Sequence, residues 1–224
     1  MGGGASGNAF VSKLSSDGQS LMYSSYLGGS GGDDDGYAVV LDANANAYVV
    51  GQATSPDFPL TPSTAVQTIQ SGVYPNGNGF LSGIDTTKSG TASLIYSTVL
   101  GGATGDDAIT GIALDPNRNA YLTGWASSSD FPVTQSSAFQ SSSNSQQYCG
   151  FVSQIDMSKV GLSALSYSSY LCGTGGDWGV GCRTRFKSEC LCYRRSIPSV
   201  VRSKAANGGW VKTGRRMWPG TWFF

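Results

Sequence analysis

Short apolar runs, each closed by Gly, Asn, Asp or Ser, follow one another from the start of the chain as far as Gly181, and no window holds a sustained helical period. Residues 37–41 and 109–114 are apolar and rich in β-branched side chains, and both end in Asp-x-x-x-Asn, a turn composition. Residues 47–50 and 120–123 return as partners, so each pair predicts a hairpin. Residues 79–85 and 150–156 predict a third strand, and 93–100 and 164–171 a fourth. Strand-forming Val, Ile, Tyr, Thr and Phe fill these runs, and 32 glycines argue against long helices.

The runs belong to one repeated unit. Leu41-Asp42-Ala43-Asn44-Ala45-Asn46-Ala47-Tyr48 returns as Leu114-Asp115-Pro116-Asn117-Arg118-Asn119-Ala120-Tyr121. Around it the same landmarks return in the same order: Phe10-Val11-Ser12, Phe80-Leu81-Ser82 and Phe151-Val152-Ser153; the Tyr-Ser-x-x-Leu stretches at 23–27, 96–100 and 167–171; Asp57-Phe58-Pro59 and Asp130-Phe131-Pro132. A four-stranded antiparallel unit of this size cannot bury both of its faces alone, and stacking neighbours around an axis does so. The predicted fold class is therefore all-β, an incomplete β-propeller of about two and a half four-stranded blades with an unrelated C-terminal tail. A β-solenoid is the competing repeat architecture, but its rungs are much shorter.

Taken in order, residues 1–7 are a glycine-rich start and 8–181 the array. The array divides into a half blade over 8–29, blades over 30–102 and 103–173, and the start of a further blade over 174–181. So few blades cannot close a ring of the usual four to eight. The chain is accordingly expected to be a piece of a longer protein, with several copies closing one ring as the alternative. The loops 54–78 and 126–148, rich in Ser, Thr, Gln and Pro, are expected to project from one face and offer a surface to a protein or glycan partner. No apolar run approaches the ~20 residues of a membrane helix.

Charge divides the chain near residue 182. Residues 1–181 hold 4 Lys/Arg against 13 Asp/Glu, a net of −9, while 182–224 hold 10 against 1, a net of +9. The repeat pattern stops at the same place. Back-translating 184–195 and reading one base later permits Leu-Asp-Ser-Lys-Ala-Asn-Ala-Tyr-Val-Thr-Gly, the central block of the repeat. Residues 182–224 are thus expected to be an out-of-frame tail, disordered or poorly packed. On that reading the basic run is not a nucleic-acid surface. Cys182, Cys190 and Cys192 fit no zinc spacing, and the pairing state of Cys149 and Cys172 is open.

The landmarks resemble the bacterial SBBP family of beta-propeller repeats over residues 7–181. The resemblance rests on Asn8-Ala9-Phe10-Val11-Ser12-Lys13-Leu14, Tyr-Ser-x-Tyr-Leu-Gly-Gly-x-Gly-x-Asp-Asp, Leu-Asp-x-x-x-Asn-Ala-Tyr-x-x-Gly, and Asp-Phe-Pro with Ala138-Phe139-Gln140 downstream. It implies a blade array found in large secreted or surface proteins and no particular reaction, hence an extracellular or cell-surface location.

Candidate chemistry is sparse. With no His in the chain, Ser-His-Asp and Cys-His arrangements are excluded, and no catalytic residue is assigned. Asp42 and Asp115 are expected to close turns through their side chains, and Asp57 and Asp130 to open turns with the following Phe packed inward. Asp33, Asp34, Asp35, Asp106 and Asp107, in glycine-rich loops, are weak candidates for Ca²⁺, which prefers clustered carboxylates; solvated turns between blades are the favoured reading, and no cofactor is otherwise expected. Tyr23, Tyr26, Tyr96, Tyr167 and Tyr170 are expected mainly to pack between blades, an exposed subset being able to stack on sugars. The leading function is a non-enzymatic structural or binding module of an extracellular bacterial protein. The alternative is part of a polysaccharide hydrolase or lyase whose catalytic residues lie outside this chain.

Overall fold

The computed structural model describes residues 7–68, 76–143, 148–173, 176–185, 189–196, 203–204, 210–211 and 221–222. Strands β1 (Ala9–Leu14) and β2 (Leu21–Leu27) form a two-stranded antiparallel sheet. Four strands follow, β3 (Asp34–Leu41), β4 (Ala47–Ala53), β5 (Asn78–Ile84) and β6 (Leu94–Leu100), in one antiparallel sheet of that order. The same meander recurs as β7 (Asp107–Leu114), β8 (Asn119–Ala126), β9 (Cys149–Asp156) and β10 (Leu165–Leu171). β11 (Asp177–Arg185) pairs with β12 (Glu189–Ser196). The short β13 (Ser203–Lys204) pairs with β14 (Trp210–Val211), and β15 (Thr221–Trp222) lies against β12.

Face-to-face stacking explains the composition. β5 is buried at every one of its positions, because a neighbouring sheet covers each face. One apolar cluster joins Ala9, Val11 and Leu27 of the first sheet to Val49, Phe58, Phe80 and Val99 of the second. Another joins Tyr48, Val50 and Leu81 of the second to Ile112, Leu122, Phe151 and Tyr170 of the third. Phe58 and Phe131 do turn inward, their rings centred 4.7 and 4.5 Å from those of Phe80 and Phe151. On the outer side of the first sheet, and along β3, repeat-equivalent positions stay open: Val39 is 61% exposed where Ile112 is 8%. Phe10 is 69% exposed where Phe80 is 0%.

The hairpin turns close by side-chain chemistry local to the turn. One Asp42 oxygen accepts from the backbone N–H groups of Asn44 and Asn46, both at 2.9 Å, and the other from the Asn46 amide. Asp115 repeats all three bonds with Asn117 and Asn119. Ala45 and Arg118 sit between them at φ 61° and 64°, a left-handed conformation that those bonds hold in place.

One expectation changes on contact with the structure. The described parts of loops 54–78 and 126–148 do not simply project; each doubles back along an outer strand. Thr61 N–H donates to the Ser97 carbonyl of β6, and Gln67 bonds both the N–H and the carbonyl of Gly101. In the next sheet Thr134 N–H donates to the Ser168 carbonyl, and the Gln140 side-chain oxygen accepts from Cys172 N–H. An outer strand has an unpaired row of backbone groups, and the strap satisfies part of that row. Past position 182 the backbone continues in β11 to Arg185 and in β12 from Glu189 to Ser196. The side chains of 182–224, with Cys182, Cys190 and Cys192, lie outside the described residues.

Cys149 and Cys172 form a disulfide with Cα atoms 5.1 Å apart. Cys149 opens β9 and Cys172 follows the end of β10, so strand pairing alone brings them within reach. Closing a loop of 23 residues restricts the unfolded chain by about 3 kcal/mol. Cys149→Ser with Cys172→Ser is expected to lower the melting temperature by several degrees in calorimetry, and a reductant should do the same to the parent chain.

Candidate functional site

One end of the array gathers the loops. There the first strand of each sheet begins, and the loop leaving the second strand folds over it. Asp34 and Asp107 stand at the first position of β3 and β7, almost wholly buried (1% and 0% exposed). The Asp107 carboxylate accepts from Gly102 N–H, Ser127 N–H, Ser128 N–H and the Ser128 hydroxyl at 2.6–3.2 Å. Asp34 has the same four partners one repeat earlier: Gly29, Thr54 and Ser55 N–H and the Ser55 hydroxyl, at 2.7–3.1 Å. Each aspartate thus pins two loops to the start of a strand. Burial pushes the Asp107 carboxyl up to about 6, with the four donors pulling the other way.

The remaining acidic candidates are spread apart. Asp33 accepts from Gly7 N–H at 2.8 Å. Asp106 takes the Gln52 amide at 2.6 Å and Gly77 N–H at 3.0 Å, which ties its loop to the preceding sheet; burial raises its carboxyl. Asp35 is exposed. Among the described residues no group of three or more His, Cys, Asp or Glu side chains could hold a metal ion. Because Asp33, Asp34, Asp106 and Asp107 already take donors from the loops, the melting temperature is expected to be the same in excess Ca²⁺ as in chelator. A clear rise in Ca²⁺ would contradict this.

Asp57 and Asp130 fasten the same loops from outside. Asp57 accepts from the Ser30 hydroxyl and N–H, both at 2.7 Å, and those bonds hold its carboxyl below the usual range. Asp130 is held down first by Ala103 N–H, and it also accepts from the Thr104 hydroxyl. Of the tyrosines, Tyr96 and Tyr170 are buried between sheets, while Tyr26 is 61% exposed.

Sequence reasoning missed an aromatic group at this end. Trp125 near the end of β8, Tyr148 just before β9 and Trp178 at the second position of β11 meet edge to face. Ring centroids lie 4.8 Å apart for Trp125–Tyr148 and 5.7 Å for Tyr148–Trp178. Trp178 is 47% exposed. The three come from far-separated positions, and the first complete blade has Gln52 and Gly77 where Trp125 and Tyr148 stand. No repeated sequence signal marked them.

Four-stranded antiparallel meanders stacked face to face, each begun by an inward aspartate, define a β-propeller array. The family model described as "SBBP: Beta-propeller repeat" matches residues 23–59 and 95–132. Those two stretches, about a third of the chain, are similar to that repeat. Each match runs from an outer strand, through the aspartate-pinned loop and the hairpin, to Asp57-Phe58-Pro59 or Asp130-Phe131-Pro132. No curated protein matches the chain. Among the described residues no helix is long and apolar enough to cross a membrane.

Proposed function

We propose that the chain is a non-catalytic binding module, part of an extracellular bacterial propeller-repeat protein, which presents its loop-bearing end to a glycan or protein partner. The observation that carries this is the Trp125–Tyr148–Trp178 group, with Trp178 about half exposed. Exposed aromatic rings beside hydrogen-bonding loops suit the apolar faces of sugars and the side chains of protein partners. Apart from the exposed Asp35, the acidic side chains named at this end are occupied in holding loops, which favours binding over acid–base chemistry. The Cys149–Cys172 disulfide supports a location outside the reducing cytosol. Propellers host many functions, so the site rather than the fold supports this reading.

The test is a glycan array and a panel of surface proteins probed with the full chain and with Trp178→Ala. Binding without turnover, lost or weakened at least tenfold in Trp178→Ala, is expected. Release of product sugars from a glycan would instead make this a fragment of a hydrolase or lyase.

A further inference from the structure

We infer that the β11–β12 hairpin is the first half of a third full SBBP repeat, whose side chains after Gly181 are encoded one base downstream of the frame that this sequence follows. Two independent observations converge on this. The first is backbone register. Asp177 begins β11 as Asp107 begins β7, its carboxylate taking Gly173 N–H at 2.6 Å as Asp107 takes Gly102 N–H. Its own N–H bonds the Tyr148 carbonyl as that of Asp107 bonds Gly77, both at 2.9 Å. One constant offset carries Asp107 to Asp177 and Gly111 to Gly181. The same offset carries the first residue of β8, Asn119, to position 189, the first residue of β12. It also places the counterparts of Leu114, Asp115, Tyr121 and Gly124 at 184, 185, 191 and 194.

The second observation is the codon set. Thr184, Arg185, Glu189, Leu191 and Arg194 have codons that, read one base later, permit leucine, aspartate, asparagine, tyrosine and glycine. These are the residues the backbone register demands, with no adjustment of the offset. The agreement reaches back to the point of failure. Cys182 and Arg183 shift to valine and alanine, so that Gly181 is followed by Val-Ala-Leu-Asp, against Ile112-Ala113-Leu114-Asp115 after Gly111. Two frames rarely share so many required residues in order.

The inference also accounts for what the tail lacks. Position 185 should hold the aspartate that closes the turn, and an arginine stands there. The net charge of +9 and the three cysteines over 182–224 are, on this inference, products of the shifted frame. Sequencing the coding DNA across codons 177–195 decides the first part. The next frame is expected to read the repeat block, and its failure to encode leucine at 184, aspartate at 185 and asparagine at 189 would overturn the inference. A second test needs no gene. The full chain with residues 182–194 replaced by Val-Ala-Leu-Asp-Ser-Lys-Ala-Asn-Ala-Tyr-Val-Thr-Gly should melt at a higher temperature than the parent. It should also gain slow amide exchange over 182–194. An unchanged or lower melting temperature with fast exchange there would contradict it.

Discussion

Asp107→Ala is expected to lower unfolding free energy by about 3 to 5 kcal/mol, because it strands four donors buried with that carboxylate. That is a large share of the roughly 5–15 kcal/mol that holds a typical domain together. Urea titration followed by tryptophan fluorescence reads it directly. Asp34→Ala should fall in the same range, since its bonds are the same one repeat earlier. The pH dependence separates this role from mere packing. With a folded-state value of about 6 against an ordinary 3.8, Asp107 keeps its proton in the folded chain between pH about 4 and about 6 while the unfolded chain releases it. The stability this group contributes therefore falls as pH rises through that window and levels off above it. Asp107→Asn should remove that slope. An Asp107→Ala variant with parental stability and an unchanged pH profile would show that the bonds hold nothing.

Gly124→Ala should cost about 3 kcal/mol or more, for a different reason. A β-carbon there would meet the carbonyl of Ala108 and the Cα of Ile109, which are backbone atoms that cannot rotate aside. The crowding sits where β7 bulges, the register shifting between Ile109 and Gly111. Gly51 occupies the same place against the Asp35 carbonyl, opposite the bulge between Gly36 and Ala38. Gly36→Ala serves as the control. Its new methyl would find only Ala9 Cβ at 3.4 Å and Val49 Cγ1 at 3.7 Å, so a loss under about 1 kcal/mol is expected. Equal losses in the two variants would mean that glycine matters here for chain entropy and not for close approach.

These two positions show what could be read from the chain and what could not. Asp-x-x-x-Asn was legible because its bonds join near neighbours in the chain, so composition carries the geometry. The glycine at the end of Ala-Tyr-x-x-Gly was visible as a recurrence, but its reason lies in a bulge on the neighbouring strand. The paired aspartates of the glycine loops read as solvated acids. Which of them turns inward depends on where the strand begins, and only the equal spacing from Asp34 to Ser55 and from Asp107 to Ser128 hinted at it. The straps along the outer strands were half legible. Thr61 and Gln67 recur as Thr134 and Gln140, yet nothing local says that they reach strands so distant in the chain. The aromatic group was hidden because it departs from the repeat. Family likeness marks what the blades share, whereas a binding surface is carried by what one blade does differently.

Amide hydrogen exchange, resolved by residue, tests the stacked-sheet account most directly. Strands β4 and β8 are paired on both edges and covered on both faces, so their amides should exchange only through global unfolding, with nearly equal protection at Tyr48–Val50 and Tyr121–Thr123. Fast exchange in either strand, or protection following a helical period across residues 34–171, would contradict it.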